Sequence, residues 1–249
     1  MLKFESALAL AALLLCVYNV GMIAIAVTRG SDLARESTAF TRKLPDPARK
    51  ILVVGDSTAV GTGAAAPEDS IAGRIAEDFS RTAVMNFAED GVLTRAVPGQ
   101  LQQAPPGSYD MVLIQVGGND ALRFTGSETL EAAIEKSLDA AAALSQNILL
   151  VSVGDLGEAR AAPWPLSLLL SHRSRLVRDV FADAARRRDV RFLDLLALSE
   201  EGSPFEDNSE KYYARDGLHP SSAGYEVWYE NLRASVPLEA WLSTAAPPE

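Results

Sequence analysis

The sequence predicts a three-layer α/β domain with a five-stranded parallel sheet, preceded by an N-terminal transmembrane helix. Short, continuously apolar runs alternate with longer segments of helical periodicity, which is typical of parallel strands buried between two layers of helices. The chain has 249 residues, of which 48% are hydrophobic and 22% charged. It is therefore long and apolar enough for one such domain, and its composition excludes a disordered protein.

The first element is an apolar segment at the N-terminus. Residues 6–27 carry no charged side chain, and at ~1.5 Å per residue they span the ~30 Å hydrocarbon core of a bilayer. The run also fits a cleaved signal peptide, with Ala24-Ile25-Ala26 as a small-x-small site, or a buried helix. Because it exceeds the usual length of a signal h-region, we expect an uncleaved single-pass anchor over residues 1–28.

The remaining elements follow in regular order. Residues 29–49 are charged and polar and predict a proline-stiffened linker, and the folded domain is predicted over residues 50–243, with a tail over 244–249. Apolar runs predict five strands, at 51–54, 83–87, 111–116, 148–151 and 190–193. Helical spacing of apolar residues predicts helices over 70–80, 127–144, 168–188 and 221–232.

Charge and residue counts exclude several function classes. A net charge of −10 disfavours binding to nucleic acid through phosphate neutralisation. The only histidines are His172 and His219, and the single cysteine is Cys16, so a three-histidine metal site and an intrachain disulfide are excluded. From these counts we expect no metal. Residues 61–66 fit a relaxed dinucleotide fingerprint but do not directly follow a predicted strand, so we also expect no nucleotide cofactor.

Chemically active residue types follow the predicted strands. The segment Gly55-Asp56-Ser57 comes after the first strand, Gly91 after the second and Gly117-Gly118-Asn119-Asp120 after the third, while Asp216-Gly217-Leu218-His219-Pro220 lies beyond the fifth. The carboxyl ends of parallel strands meet at one edge of a sheet, so these segments should lie together. A serine, amide donors and an Asp/His pair are the components of acyl transfer.

A serine hydroxyl needs a base, and the chain offers only His219 and His172. His219 follows Asp216 by three residues in a glycine-containing turn, close enough for the carboxylate to orient the ring. His172 begins an arginine-rich helix, where we expect it on the surface. Asp155 and Asp194 also lie near strand ends, but neither has a histidine nearby in sequence, so Asp216 is the favoured partner.

These four segments resemble the four motif blocks of the SGNH/GDSL hydrolases, in the same order, over roughly Lys50 to Leu232. The resemblance implies a flavodoxin-like α/β/α domain in which Ser57 is the nucleophile, His219 the base and Asp216 the group that orients it. It also implies an oxyanion hole formed by the backbone N–H groups of Ser57 and Gly91 and the side chain of Asn119.

The resulting prediction is a serine hydrolase that cleaves lipid or small acyl esters, in the manner of a lysophospholipase or thioesterase, through an acyl-enzyme. The alternatives are a carbohydrate O-acetylesterase or acyltransferase of the cell envelope, and a non-catalytic binding module, which the presence of both Ser57 and His219 disfavours. The anchor would bind the lipid bilayer through residues 6–27. We expect the domain on the extracytoplasmic side, although the basic residues after the anchor favour the cytoplasm by the positive-inside rule.

Two further segments bear on the substrate. The apolar stretch 162–170 fits an acyl pocket or a membrane contact, and equally a proline-shaped loop tucked on the core. The helix predicted over 168–188 carries six arginines, which fit either anionic headgroups or an ordinary solvated face. The interleaved Asp179 and Asp183 favour the solvated face.

Overall fold

The protein is described by a computed structural model over residues 2–200 and 202–243. Its sheet has five parallel strands in the order β2-β1-β3-β4-β5. The strands are β1 (Arg49–Gly55), β2 (Thr82–Asn86), β3 (Met111–Gln115), β4 (Ile148–Val151) and β5 (Arg191–Leu193). This is the flavodoxin-like order, in which a crevice opens between the carboxyl ends of β1 and β3.

Helices connect the strands and cover both faces of the sheet, so the predicted fold class is confirmed. The helices are α1 (Leu2–Glu36), α2 (Ser57–Val60), α3 (Ile71–Asp78), α4 (Val97–Leu101), α5 (Gly118–Leu122), α6 (Ser127–Ala142), α7 (Leu166–Arg188), α8 (Ala197–Glu200), α9 (Pro204–Asp207), α10 (Ser209–Tyr212), α11 (Ser222–Ser235) and α12 (Leu238–Leu242). The helices absent from the sequence prediction are those of four or five residues, which are too short to show a helical period.

Two hydrophobic cores lie on opposite faces of the sheet because successive strand residues point to opposite sides. Ile51 and Val53 of β1 face the core that includes α3, α11 and α12. Leu52 and Val54 face the core that includes α4, α6 and α7. All four side chains are fully buried or nearly so. The continuous apolar run of β1 is therefore explained by burial on both faces.

Helix α1 is longer than the predicted anchor and continues to Glu36. Its stretch Glu5–Glu36 includes a window of mean hydropathy 2.4, of which only 6% is buried. The helix is thus long and apolar enough to cross a membrane, a property that signal sequences near an N-terminus share.

The segment predicted as a linker, residues 29–49, packs against the domain. Leu33 and Phe40 are buried. Arg42 exchanges two backbone hydrogen bonds with Val84 of β2, at 3.0 and 2.9 Å. The sequence did not predict this packing because the segment is mostly charged and polar. Its contact with the domain depends on two buried apolar side chains and one backbone bridge to the edge strand β2. The predicted tail, residues 244–249, lies outside the described residues.

The basic end of α7 is paired with α6. Arg187 contacts Glu131 and Glu135 at 2.8 and 2.6 Å, and Arg188 contacts Glu135 and Asp139. These arginines have carboxylate partners within the domain, as an ordinary solvated helix face would.

Candidate active site

The site begins where β1 ends, at Gly55. The residue has φ +141°, and a Cβ there would lie 1.8 Å from the carbonyl oxygen of Gln115 on β3, so only glycine fits. The Gln100 side chain fixes this backbone from the other side: its Nε2 donates to the Gly55 oxygen at 2.9 Å, and its Oε1 accepts from the Gly55 nitrogen at 2.8 Å. The next residues therefore leave the sheet in one defined direction.

Ser57 is the first residue of α2, and Asp56 is the N-cap of that helix. The Asp56 Oδ1 accepts hydrogen bonds from the backbone nitrogen of Thr58 at 3.0 Å and from its Oγ1 at 2.8 Å. Burial raises the pKa of the Asp56 carboxyl, and the hydrogen bonds from Thr58 offset only part of that rise. Asp56 therefore shapes the turn that presents Ser57, as expected for a capping residue.

His219 lies in a turn closed by an antiparallel bridge between Tyr213 and Pro220. The backbone nitrogen of Ala214 donates to the His219 oxygen at 2.8 Å. The Arg160 Nη2 donates to the Ala214 oxygen at 2.8 Å and ties the turn to the loop after β4. These bonds hold His219 in place although it lies far from the sheet in sequence.

The structure brings Ser57, His219 and Asp216 into one hydrogen-bonded chain. The Ser57 Oγ is 2.9 Å from the His219 Nε2, and the His219 Nδ1 is 2.5 Å from the Asp216 Oδ2. The other carboxylate oxygen, Oδ1, accepts from the backbone nitrogens of Leu218 and His219 at 3.0 and 3.1 Å. Ser57 is far in sequence from Asp216 and His219, but the turn that carries these two residues folds back over the carboxyl end of β1 and brings them into contact.

The charge state of Asp216 decides which nitrogen of His219 carries the proton. Burial pushes the pKa of the Asp216 carboxyl upward, but the hydrogen bond and charge of His219 and the two backbone N–H groups outweigh it and leave the pKa below its ordinary value. An ionised carboxylate only accepts hydrogen bonds, so Nδ1 of His219 is the donor to it. Nε2 of the neutral ring is then free to accept the hydroxyl proton of Ser57.

Gly91 and Asn119 line the same cavity as Ser57 and His219. Gly91 has φ +74°, and the Arg123 Nη2 donates to its carbonyl oxygen at 2.9 Å. Asn119 lies in the first turn of α5. The fifth predicted residue, Asp216, stands behind His219 and completes the set.

Asp120 holds the loop that carries Asn119. Its Oδ2 accepts from the backbone nitrogen of Thr94 at 2.8 Å and from the Thr94 Oγ1 at 2.7 Å. Gly117, before α5, has φ +118°, and a Cβ there would lie within about 3 Å of Val177 and Phe181 on α7. Asn119 is thus fixed between α7 and the loop after β2.

The other candidates are placed away from the hydrogen-bonded chain. His172 is exposed on α7, as predicted. Asp194 pairs with Arg178 at 2.9 Å. Asp155 lines the cavity, and its Oδ2 lies 3.8 Å from the Arg175 Nη2.

The cavity above Ser57 has a volume of about 660 Å³, within the usual range for small-molecule sites. One end is polar and carries Ser57 and His219. The other end is apolar and is lined by Ile23 and Ala26 of α1 and by the residues that open α7. Within residues 2–200 and 202–243, no group of three or more potential metal-ligating side chains is found.

Sequence reasoning missed the contribution of α1 to this site. A Cβ at Gly30 would lie 3.3 Å from the Asp216 Oδ2 and 3.8 Å from the His219 Cε1, so α1 passes directly over the pair. The Arg29 Nη1 donates to the Arg215 oxygen at 3.2 Å, and Arg215 pairs with Glu36 at 2.7 Å. The available sequence signal was Arg29, the first basic residue after the apolar run, which the positive-inside rule uses only to assign membrane orientation.

Comparison with known proteins identifies the class. The GDSL-like lipase/acylhydrolase family matches residues 53–227, and the chain belongs to this family of hydrolases. A search of curated proteins finds no match.

Solved structures share the fold. A G-D-S-L family lipolytic protein from Veillonella parvula is 14% identical, with TM-score 0.60, over 76% of this chain and 98% of that one. An extracellular lipase from Streptomyces rimosus is 16% identical, with TM-score 0.60, over 76% and 100%. An acetylxylan esterase from Geobacillus stearothermophilus is 19% identical, with TM-score 0.54, over 80% and 98%. At these identities the likeness concerns the fold.

Proposed function

We propose that the protein hydrolyses carboxylic esters of lipids or small acyl compounds through a Ser57–His219–Asp216 triad. The observation that carries the proposal is the hydrogen-bonded chain from the Ser57 Oγ to the Asp216 Oδ2, with links of 2.9 and 2.5 Å. With Asp216 ionised, this geometry places a base, the His219 Nε2, within hydrogen-bond distance of the Ser57 hydroxyl, whose proton must be removed first.

In the first step, Ser57 Oγ attacks the ester carbonyl while Nε2 of His219 accepts the hydroxyl proton. The backbone N–H groups of Ser57 and Gly91 and the amide of Asn119 stabilise the negative charge on the carbonyl oxygen. His219 then passes the proton to the departing alcohol, and the acyl group remains on Ser57. Asp216 acts through His219, by fixing its tautomer and stabilising its protonated form.

In the second step, water replaces the alcohol. His219 accepts a proton from the water as its oxygen attacks the acyl-enzyme, and Ser57 recovers its proton as the acid is released. The reaction requires a neutral His219 at the start of each step, so activity increases with pH until the ring is fully deprotonated.

The proposal includes a membrane anchor. Helix α1 supports it by its length and its exposed apolar surface, and an uncleaved anchor would place the hydrolase domain at a bilayer, on the extracytoplasmic side. A carbohydrate O-acetylesterase or an acyltransferase would use the same three residues with a different acyl acceptor. Acetyl-selective activity, or transfer to a sugar, would favour that alternative.

The experiment is a covalent and kinetic test of Ser57. The full-length protein and Ser57→Ala are assayed on 4-nitrophenyl esters from acetyl to palmitoyl, and both are treated with a fluorophosphonate, which labels an activated serine. Turnover should fall by about 10⁴-fold or more in Ser57→Ala, with no label incorporated. Ser235→Ala, an exposed serine on α11, is the matched control. Equal activity or labelling in Ser57→Ala contradicts the proposal.

A further inference from the structure

The cavity has an apolar wall that the proposed chemistry does not use. Ile23 and Ala26 of α1 lie on one side, and Leu166 and Leu170 at the start of α7 lie on another. Hydrocarbon side chains offer no hydrogen bond to an alcohol or sugar group. The part of an ester substrate that gains free energy from such a wall is a long acyl chain.

The segment that supplies one side of this wall is also apolar on its outer face. Leu166 and Leu170 are four residues apart and therefore share a helix face, the one that lines the cavity. Trp164 and Leu168 lie outside the cavity and are each 64% exposed, and Leu169 is 46% exposed. A contiguous apolar patch of this kind on a water-facing surface marks a binding face.

The position of α1 identifies what covers that patch. The Asn19 Nδ2 lies 3.4 Å from the carbonyl oxygen of Trp164. Asn19 precedes Val27, the end of the uncharged run, by about 12 Å along the helix axis at ~1.5 Å per residue. A bilayer that covers the uncharged run of α1 therefore also reaches Trp164 and Leu168.

We propose that α1 and residues 162–170 form an acyl-chain groove that opens into the membrane leaflet. The substrate is then a long-chain acyl ester resident in the bilayer, which enters the cavity from the leaflet and not from water. Its chain lies between Ala26 and Leu170 while its carbonyl reaches Ser57. The inference rests on the proposed ester hydrolysis and on retention of α1, and it narrows the substrate class of that same site.

The first test is the chain-length preference of the full chain in phosphatidylcholine vesicles. The variant Ala26→Trp fills the groove, because Ala26 is buried against it, whereas Ala24→Trp adds the same ring to an exposed face of α1. Each buried methylene contributes about three- to fourfold to kcat/KM. We expect the kcat/KM ratio for 4-nitrophenyl palmitate over acetate to fall at least about tenfold in Ala26→Trp and to stay unchanged in Ala24→Trp.

The possible outcomes distinguish a failure of the acyl-chain groove from a failure of the proposed ester hydrolysis. An unchanged ratio in Ala26→Trp, an equal fall in both variants, or a wild type that cleaves acetate but not palmitate overturns the groove and leaves ester hydrolysis standing. A wild type that cleaves neither ester contradicts the proposed hydrolysis itself. The groove proposal, which rests on that hydrolysis, is then overturned with it. If Ala26→Trp does not fold, the second measurement decides.

The second measurement is quenching of tryptophan fluorescence in vesicles of brominated phosphatidylcholine, which needs no activity. Trp164 is 64% exposed and Trp228 only 8%, so Trp164 should account for most of the quenching and Trp164→Phe should remove most of it. Trp228 lines the cavity, so the smaller quenching that remains in Trp164→Phe reports acyl chains that have entered it. Intact mass of the membrane-extracted chain should include α1. Equal quenching in wild type and Trp164→Phe, or a mass that lacks α1, overturns the proposal.

Discussion

The two ends of the candidate active-site cavity differ in what holds their residues in place. At the polar end, short segments after β1 and before α11 carry Ser57 and His219, and hydrogen bonds hold each side chain. At the apolar end, side chains of α1 and of the start of α7 line the cavity together, although they are distant in sequence. Changes at the polar end should therefore slow all esters alike, whereas changes at the apolar end should alter the preference among esters.

The largest effect on turnover is expected for Asp216→Asn, which removes the carboxylate that accepts a hydrogen bond from His219 at the polar end. An amide at this position can donate to His219 and favour the wrong tautomer, so kcat should fall by about 10⁴-fold for every chain length while KM changes little. Steady-state kinetics on short and long 4-nitrophenyl esters measure both constants. Asp194→Asn, the acid that pairs with Arg178, is the matched control. A selective loss on long esters only would contradict this division between the two ends.

Asn119→Ala should produce the next largest effect. Loss of one oxyanion donor lowers kcat by about 10²- to 10³-fold, since the donor acts on charge that develops in the transition state. Asn231→Ala on α11, away from the cavity, serves as the comparison. Unchanged turnover in the Asn119 variant would remove that side chain from the mechanism.

Leu166→Ala tests the apolar end at a smaller scale. The substitution removes three side-chain carbon atoms from the wall of the cavity. It should therefore lower kcat/KM for the palmitoyl ester by about tenfold or more and leave kcat/KM for the acetyl ester unchanged. Leu144→Ala, a partly buried leucine outside the cavity lining, controls for a general loss of stability. The competing result is an equal decrease for both esters.

The smallest expected effect is a pH-dependent change in stability in Asp56→Asn. The pKa of Asp56 is raised in the folded protein by burial, so the folded state is favoured when the carboxyl is protonated and loses that advantage as pH increases through the raised pKa. Asparagine retains the cap without the charge. The variant should therefore melt at a higher temperature than wild type near neutral pH, and the difference should shrink towards pH 4. Thermal melts across this range measure it, and a difference that grows on acidification would contradict the assignment.

The sequence predicted the sheet and the proximity of Ser57, His219 and Asp216, for a physical reason. The strands are buried on both faces and so are continuously apolar, as in Ile51 to Val54, and each site segment directly follows a strand or sits in a glycine-containing turn. Parallel topology then brings those segments to one edge without further information. The proximity of Ser57, His219 and Asp216 follows from local motifs and one topological rule, while their catalytic roles stay a prediction.

The part that α1 plays in the site could not be predicted in the same way. Gly30 is an unremarked glycine after an apolar run, and its role as a close contact of Asp216 depends on the path of α1 across the domain. Phe40 and Arg42 likewise dock a charged segment by a few tertiary contacts. Such contacts have no periodic pattern, because they arise between elements that are distant in sequence.

The passage of α1 over Asp216 has a consequence for how the enzyme is prepared. Gly30 has no side chain, so the backbone of α1 lies directly against the Asp216 carboxylate, and Asp216 is only 4% exposed. A fragment that starts after Glu36 would replace this low-polarity cover with water and so screen the attraction between Asp216 and His219. Helix α1 therefore also excludes water from the hydrogen bond between Asp216 and His219. A soluble fragment without this helix would hold the two side chains in a more polar environment than the whole chain does.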